Sequence, residues 1–81
     1  MRTQKVIELF MSRCNGLGLY TLDVFFSVAV AYVATLDTGE IAYSCVQIDK
    51  DAITLDNMDV LIGRTYITLK DKLVCNSVNL Q

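Results

Sequence analysis

The first hydrophobic pattern along the chain has the period of a helix. Over residues 3–14, Val6, Ile7, Phe10, Met11 and Cys14 fall on one side of a 3.6-residue repeat. Arg2, Lys5, Glu8, Ser12 and Arg13 fill the other. Asn15-Gly16-Leu17-Gly18 then reads as a helix stop and a turn.

From residue 20 the period changes to two. Val24, Phe26, Val28, Val30 and Tyr32 share one parity, and Phe25, Ser27, Ala29, Ala31 and Val33 share the other. A strand sorts residues by two and a helix does not. Residues 20–36 therefore predict one long strand, or two strands with a bend. A single strand of this length far exceeds the usual five or six residues, so it would have to be strongly curved and shared by two sheets. The small side chains Ser27, Ala29 and Ala31 make a shallow face. Phe10 and Met11 of the helix are expected to fill it, or else a second subunit does.

Asp37-Thr38-Gly39-Glu40 is a hairpin signal, and residues 41–48 return as a strand. Asp49-Lys50-Asp51 turns, and residues 52–55 read as a short strand. Asp56-Asn57 turns or bulges, and residues 58–62 continue extended. Gly63 breaks the run. Residues 64–69 alternate, with Thr65, Ile67 and Leu69 against Tyr66, Thr68 and Lys70. Asp71-Lys72 turns into a last strand over 73–80. The chain has no proline, linker or repeat. The expected architecture is one domain over 1–81, with a helix in 1–15 and antiparallel β structure in 16–81. The fold class is mainly β (α+β): an N-terminal amphipathic helix, then a strongly bent antiparallel sheet or a small five-stranded barrel.

Leu17 to Leu36 carries one charge in twenty residues, enough to span a bilayer as a helix. Against a span, Asp23 would cost about 2.5–3.5 kcal/mol at the bilayer centre, and the parity favours a strand. A signal peptide with Ala29-Val30-Ala31 as its cleavage motif would need too long a charged leader and would carry Asp23 inside its apolar region. A buried strand is the expectation adopted.

Composition adds a reason to look for a partner. The chain has 81 residues, of which 53% are apolar. A domain of this size buries only about 60% of its unfolded surface. The surplus must meet a partner, another copy or a membrane. The net charge is −2, and it is segregated. Arg2, Lys5 and Arg13 against Glu8 leave the first 13 residues at +2. Asp37, Glu40, Asp49, Asp51, Asp56 and Asp59 against Lys50 leave residues 37–59 at −5, and residues 60–81 return to +2. No basic stripe for nucleic acid is visible. The acidic stretch reads as solvated turns; its sharper reading is a docking face for a basic protein, made by Asp49, Asp51, Asp56 and Asp59. Cys14, Cys45 and Cys75 are odd in number and widely spaced. They point to free thiols in a reducing, cytoplasmic compartment rather than to a disulfide framework.

The order of turns and strands resembles the Sm-like small β-barrel family. The text that carries it is LDTGEIAYSCVQIDKDAITL followed by GRTYITLKDKLVCNSVNL, over residues 28–80. That resemblance implies ring assembly through edge strands, and base contacts from a loop Asp and Asn. Asp49 falls near the Asp position, while Ala52 stands where the Asn would be. The usual Arg-Gly order appears as Gly63-Arg64, and Ser44 replaces the usual strand glycine. No functional residue of that family is carried over.

Catalytic chemistry finds no purchase. The chain has no histidine, which removes Ser-His-Asp and Cys-His catalysis and the commonest metal ligand. There is no Cys-x-x-Cys pair for zinc. Asp49-Lys50-Asp51 starts like a calcium loop, but Ile53 takes the third ligand position. Gly16-x-Gly18 precedes a strand, so it is no phosphate loop. Asp56 and Asp59 read as turn acids. No catalytic residue, metal ligand or cofactor site is expected. The ending Val78-Asn79-Leu80-Gln81 resembles the residues that precede a cut by viral 3C-like proteases; a chance ending is the plainer account.

The expected function is a non-enzymatic interaction module acting as a homo-oligomer, with the chain itself and another protein as partners. Its candidate surface is Phe10, Met11, Phe25, Ala29, Ala31 and Val33. The alternatives are an Sm-like RNA binder, a single-span membrane protein, and a phage or viral inhibitor of a host protein. Neither nucleic acid nor a membrane is the expected partner.

Overall fold

A computed structural model describes the backbone of residues 3–79 and the side chains of residues 3–73. The chain runs as helix α1 (Gln4–Gly16), strands β1 (Tyr20–Asp23), β2 (Ser27–Thr35) and β3 (Ile41–Asp49), a single 3-10 turn (Lys50–Ala52), and helix α2 (Met58–Asn79). The strands form one antiparallel sheet in the order β1-β2-β3. Both helices pack on the same side of it. The class is α+β: an N-terminal helix and an antiparallel sheet, as the patterning predicts.

Helix α1 buries Ile7, Phe10 and Cys14, with Val6 and Met11 packed beside them. Its end is built by two backbone bonds. Leu19 N–H reaches back to the Cys14 carbonyl, and Gly18 N–H to that of Asn15, each at 3.0 Å. This pairing needs a left-handed residue, which Gly18 supplies at φ +86°. Leu19, next in line, is buried against the same core.

The run 20–36 is two strands, not one. At residues 24–26 the chain reverses, closed by Val24 N–H donating to the Ser27 carbonyl at 3.0 Å. That turn, Val24-Phe25-Phe26, contains no glycine, asparagine or proline to mark it in the sequence. The second reversal is the expected one. Leu36 N–H bonds the Glu40 carbonyl at 2.7 Å, with Gly39 at φ +90°.

The larger correction lies beyond Asp49. Residues 52–55 form no strand, and residues 58–79 form one helix of 22 residues, so no five-stranded barrel closes. The start of that helix is capped reciprocally. Thr54 N–H donates to Asn57 Oδ1 at 2.9 Å, and Asn57 N–H donates back to Thr54 Oγ1 at 3.1 Å. Asn57 Nδ2 also donates to the Ala52 carbonyl at 2.7 Å. Thr-x-x-Asn here does the work that Ser/Thr-x-x-Glu usually does. From there Met58, Ile62, Thr65, Leu69 and Leu73 are buried, at helical spacing. Ser44 on β3 donates its hydroxyl to the Leu69 carbonyl at 2.6 Å, tying helix to sheet.

Gly63 sits inside α2, where a Cβ would meet nothing within 4 Å. Glycine there only costs backbone entropy. Gly63→Ala is expected to stabilise the fold by about 0.5–1 kcal/mol, read as a higher urea midpoint with unchanged slope.

The core is one cluster: Ile7, Phe10, Cys14, Leu19, Val28, Val30, Ile53, Met58, Ile62 and Leu69. Helix α1 therefore lies over the Val28/Val30 side of β2, not over the alanine side. Larger side chains give more buried apolar area per residue, so that side wins the helices.

Candidate docking face

The register shows what the helices leave uncovered. Tyr20 pairs with Ala31, which pairs with Cys45. Leu22 pairs with Ala29, which pairs with Gln47. Val33 pairs with Tyr43, and Thr35 with Ile41. Directly paired residues share a face, so all of these lie opposite Val28 and Val30. Tyr20 is 63% exposed, Leu22 66%, Tyr43 68% and Ile41 73%. Val33 is exposed as well.

The face has relief. Its middle is the small set Ala29, Ala31 and Cys45. Tyr20 and Leu22 rise on one flank, and Val33, Tyr43 and Ile41 on the other. Ser27 and Gln47 add a polar patch, joined by a 3.0 Å hydrogen bond. Asp49 is the one charged residue in these rows. At one end, in the β1–β2 turn, Phe25 and Phe26 stand exposed with their rings edge to face, 4.5 Å apart.

Aromatic side chains offer about 150–250 Å² each. With Tyr20 and Tyr43 about two-thirds exposed, plus Leu22, Val33 and Ile41, the apolar surface on the face is roughly 550 Å², and Phe25 and Phe26 in the turn at its end add roughly 250 Å². The largest apolar patch on a typical monomer is about 300–600 Å².

Four of the six residues expected to form a surface are on or beside this face: Phe25, Ala29, Ala31 and Val33. Phe10 and Met11 are not. Phe10 is fully buried and Met11 packs against the same core, on the other side of the sheet. Their helix went to the valine side, so they cannot fill the space above the alanines. Tyr20, Leu22, Ile41, Tyr43 and Cys45 were missed as surface residues. The parity of 41, 43 and 45 after a two-strand turn would have found three of them.

The four acids do not act as a matched set. Asp49 Oδ1 accepts from Asp51 N–H at 2.9 Å and shapes the 3-10 turn. Asp59 pairs with Arg13 at 2.7 Å, across the two helices. Both groups are well exposed, so the pair contributes about 0–1 kcal/mol. It forms the rim of a shallow cleft lined by Gly16, Leu17, Ile62 and Gly63. Asp56 is an exposed turn residue.

A second ionic cluster braces the β1 end. Lys50 is buried, with its Nζ 2.5 Å from Asp23 Oδ1. Gln4 Nε2 donates to Asp23 Oδ2 at 3.0 Å. The Lys50 hydrogen bond, then that of Gln4, holds the Asp23 carboxyl below its ordinary value. A carboxylate shifted down stabilises the fold above its unfolded pKa, and that contribution is lost as pH falls through the folded value. Asp23→Asn is expected to lower the melting temperature near neutrality. The gap from the parent should hold down to about pH 5 and narrow below about pH 4. Thermal melts of both proteins across that range check it; a gap independent of pH would refute the ionic account.

The thiol chemistry is muted. Cys14 and Cys45 are both free. Burial pushes the Cys14 thiol up to about 11, away from the thiolate a nucleophile needs. Among the described residues, no group of three or more His, Cys, Asp or Glu side chains could hold a metal ion. No helix there is long and apolar enough to cross a membrane. The expected Leu17–Leu36 segment is sheet and turns. Leu80 and Gln81 of the protease-like ending lie outside the described residues.

The class these features define is a small α+β protein whose three-stranded antiparallel sheet carries both helices on one face and none on the other. No family model, curated protein or solved structure matches the chain.

Proposed function

We propose that the chain is a non-enzymatic protein–protein interaction module that acts as a homo-oligomer through the bare face of its sheet. One observation carries this reading: Tyr20, Leu22, Val33, Ile41 and Tyr43 stand exposed on one nearly uncharged face, with Phe25 and Phe26 exposed in the turn at its end, roughly 800 Å² of apolar side chain in all. A standard protein interface buries about that much per partner. The face suits self-docking electrostatically, because copies that carry almost no charge there do not repel. A basic or acidic partner would find little on it to pair with. Free Cys14 and Cys45 fit a reducing compartment such as the cytoplasm.

Chromatography with light scattering, at micromolar concentration and without detergent, tests the reading. The expected mass is at least twice the 9.0 kDa of one chain. A monomer overturns it. The absorbance ratio of the same peak addresses the RNA-binding reading that the Sm-like resemblance implies. That reading requires nucleic acid to travel with the protein and to leave as salt rises.

A further inference from the structure

The sheet offers a second copy its bare face and two edges; β1 has only 4 residues and β3 has 9, so β3 is the edge that could pair. We infer that the copies meet face to face, with Tyr43 of each seated over Ala31 of its partner. This rests on the homo-oligomer reading above.

The edge is the weaker candidate. Leu36 bonds Glu40, and Lys50 bonds Phe26, so the even-numbered positions carry the β2–β3 ladder. The odd positions Ile41, Tyr43, Cys45, Gln47 and Asp49 therefore aim their backbone N–H and C=O groups at the free edge. In the middle of that edge, Lys72 Nζ donates to the Cys45 carbonyl at 2.9 Å. A lysine laid over an edge is a common guard against strand addition. An incoming strand would have to displace it. Edge pairing would also leave the apolar side chains of both copies in water.

Face-to-face stacking removes them from water. It also fits the relief. The hollow of Ala29, Ala31 and Cys45 lies immediately beside the projecting Tyr43. A projection and a hollow side by side on one face are self-complementary. A two-fold axis between them places each tyrosine in the other copy's hollow, as an isologous contact requires. Two antiparallel sheets stack in this way about 10 Å apart, forming a closed core from two open faces. The assembly has four layers, helices outside and sheets within.

Three variants separate the arrangements. Ala31→Arg fills the hollow with a charge, twice per dimer by symmetry. Tyr43→Ala removes an exposed ring and leaves the fold intact. Lys72→Ala uncovers the free edge of β3 and touches neither the bare face nor the β2–β3 ladder. Each is checked for folding by circular dichroism and weighed by light scattering. Loss of the dimer in Ala31→Arg and Tyr43→Ala, with an unchanged dimer in Lys72→Ala, is the expected result. If Ala31→Arg does not fold, Tyr43→Ala decides. The reverse pattern, a dimer that persists in Ala31→Arg and Tyr43→Ala and tightens in Lys72→Ala, overturns the face-to-face arrangement and leaves self-association standing. A parent protein that is already monomeric overturns both.

Discussion

Phe10→Ala is expected to cost about 3–5 kcal/mol, the range for emptying a buried phenylalanine site. A domain of 81 residues has roughly 4–12 kcal/mol in total. The variant should therefore lie near the edge of folding, with its melting temperature lowered by more than about 12 °C. The reason is position. Phe10 is fully buried, in one cluster with Ile7, Val28, Val30 and Met58. No neighbouring side chain is free to collapse into the void without losing contacts of its own. Urea titration of the variant at two protein concentrations measures it. A residue in the core lowers the midpoint equally at both. A residue at an interface between copies would lower it more at the lower concentration, and that outcome would place Phe10 where the sequence pattern first put it.

Ile67→Pro should cost about 3 kcal/mol or more, although Ile67 is 63% exposed. Little apolar burial is at stake there. The loss comes from the backbone: proline has no N–H for the helix ladder, and its ring collides with the preceding turn. The companion variant Ile67→Ala sharpens the test. In a helix, alanine at an exposed position is neutral or mildly stabilising. In a strand, the same change from a β-branched residue is destabilising. Helical ellipticity and the urea midpoint of both variants measure this. A costly Ile67→Ala with a tolerated Ile67→Pro would return residues 64–69 to an extended conformation.

The elements differ in how plainly the sequence encodes them. Helix α1 could be read because its apolar residues keep the 3.6 period over three turns and glycines follow at once. The hairpin at 36–40 and strand β3 could be read because Asp-Thr-Gly-Glu is strong turn chemistry between alternating runs. Helix α2 was hidden by composition. Val60, Ile62, Thr65, Ile67 and Thr68 are β-branched, and Gly63 interrupts them. Over the six residues 64–69, alternation fits a strand as well as a helix. Yet Met58, Leu61, Ile62, Thr65, Tyr66, Leu69 and Leu73 hold a helical period over sixteen residues, and the longer window was the better guide. Thr54 and Asn57 three residues apart marked the start. The turn at 24–26 had no marker, so the sequence left one long strand and two strands with a bend both open.

By itself the sequence determined the local elements it could encode locally: the first helix, the sorting of β2 into two faces, the second hairpin and its partner strand. It also determined that an 81-residue chain with 53% apolar residues would carry more hydrophobic surface than it could fold away. Only the tertiary structure decided which face of β2 would be covered. Both faces are apolar, one with valines and one with alanines, and nothing local chooses between them. The choice falls to packing: Phe10, Ile7, Met58 and Leu69 bury more area against Val28 and Val30 than against Ala29 and Ala31. The pairing of Lys50 with Asp23, 27 residues apart, is likewise a product of the folded chain, since β1 must first reverse into β2 to bring them together. Covering the valine side leaves the alanine side bare, with Tyr20, Leu22, Val33, Ile41 and Tyr43 exposed on it.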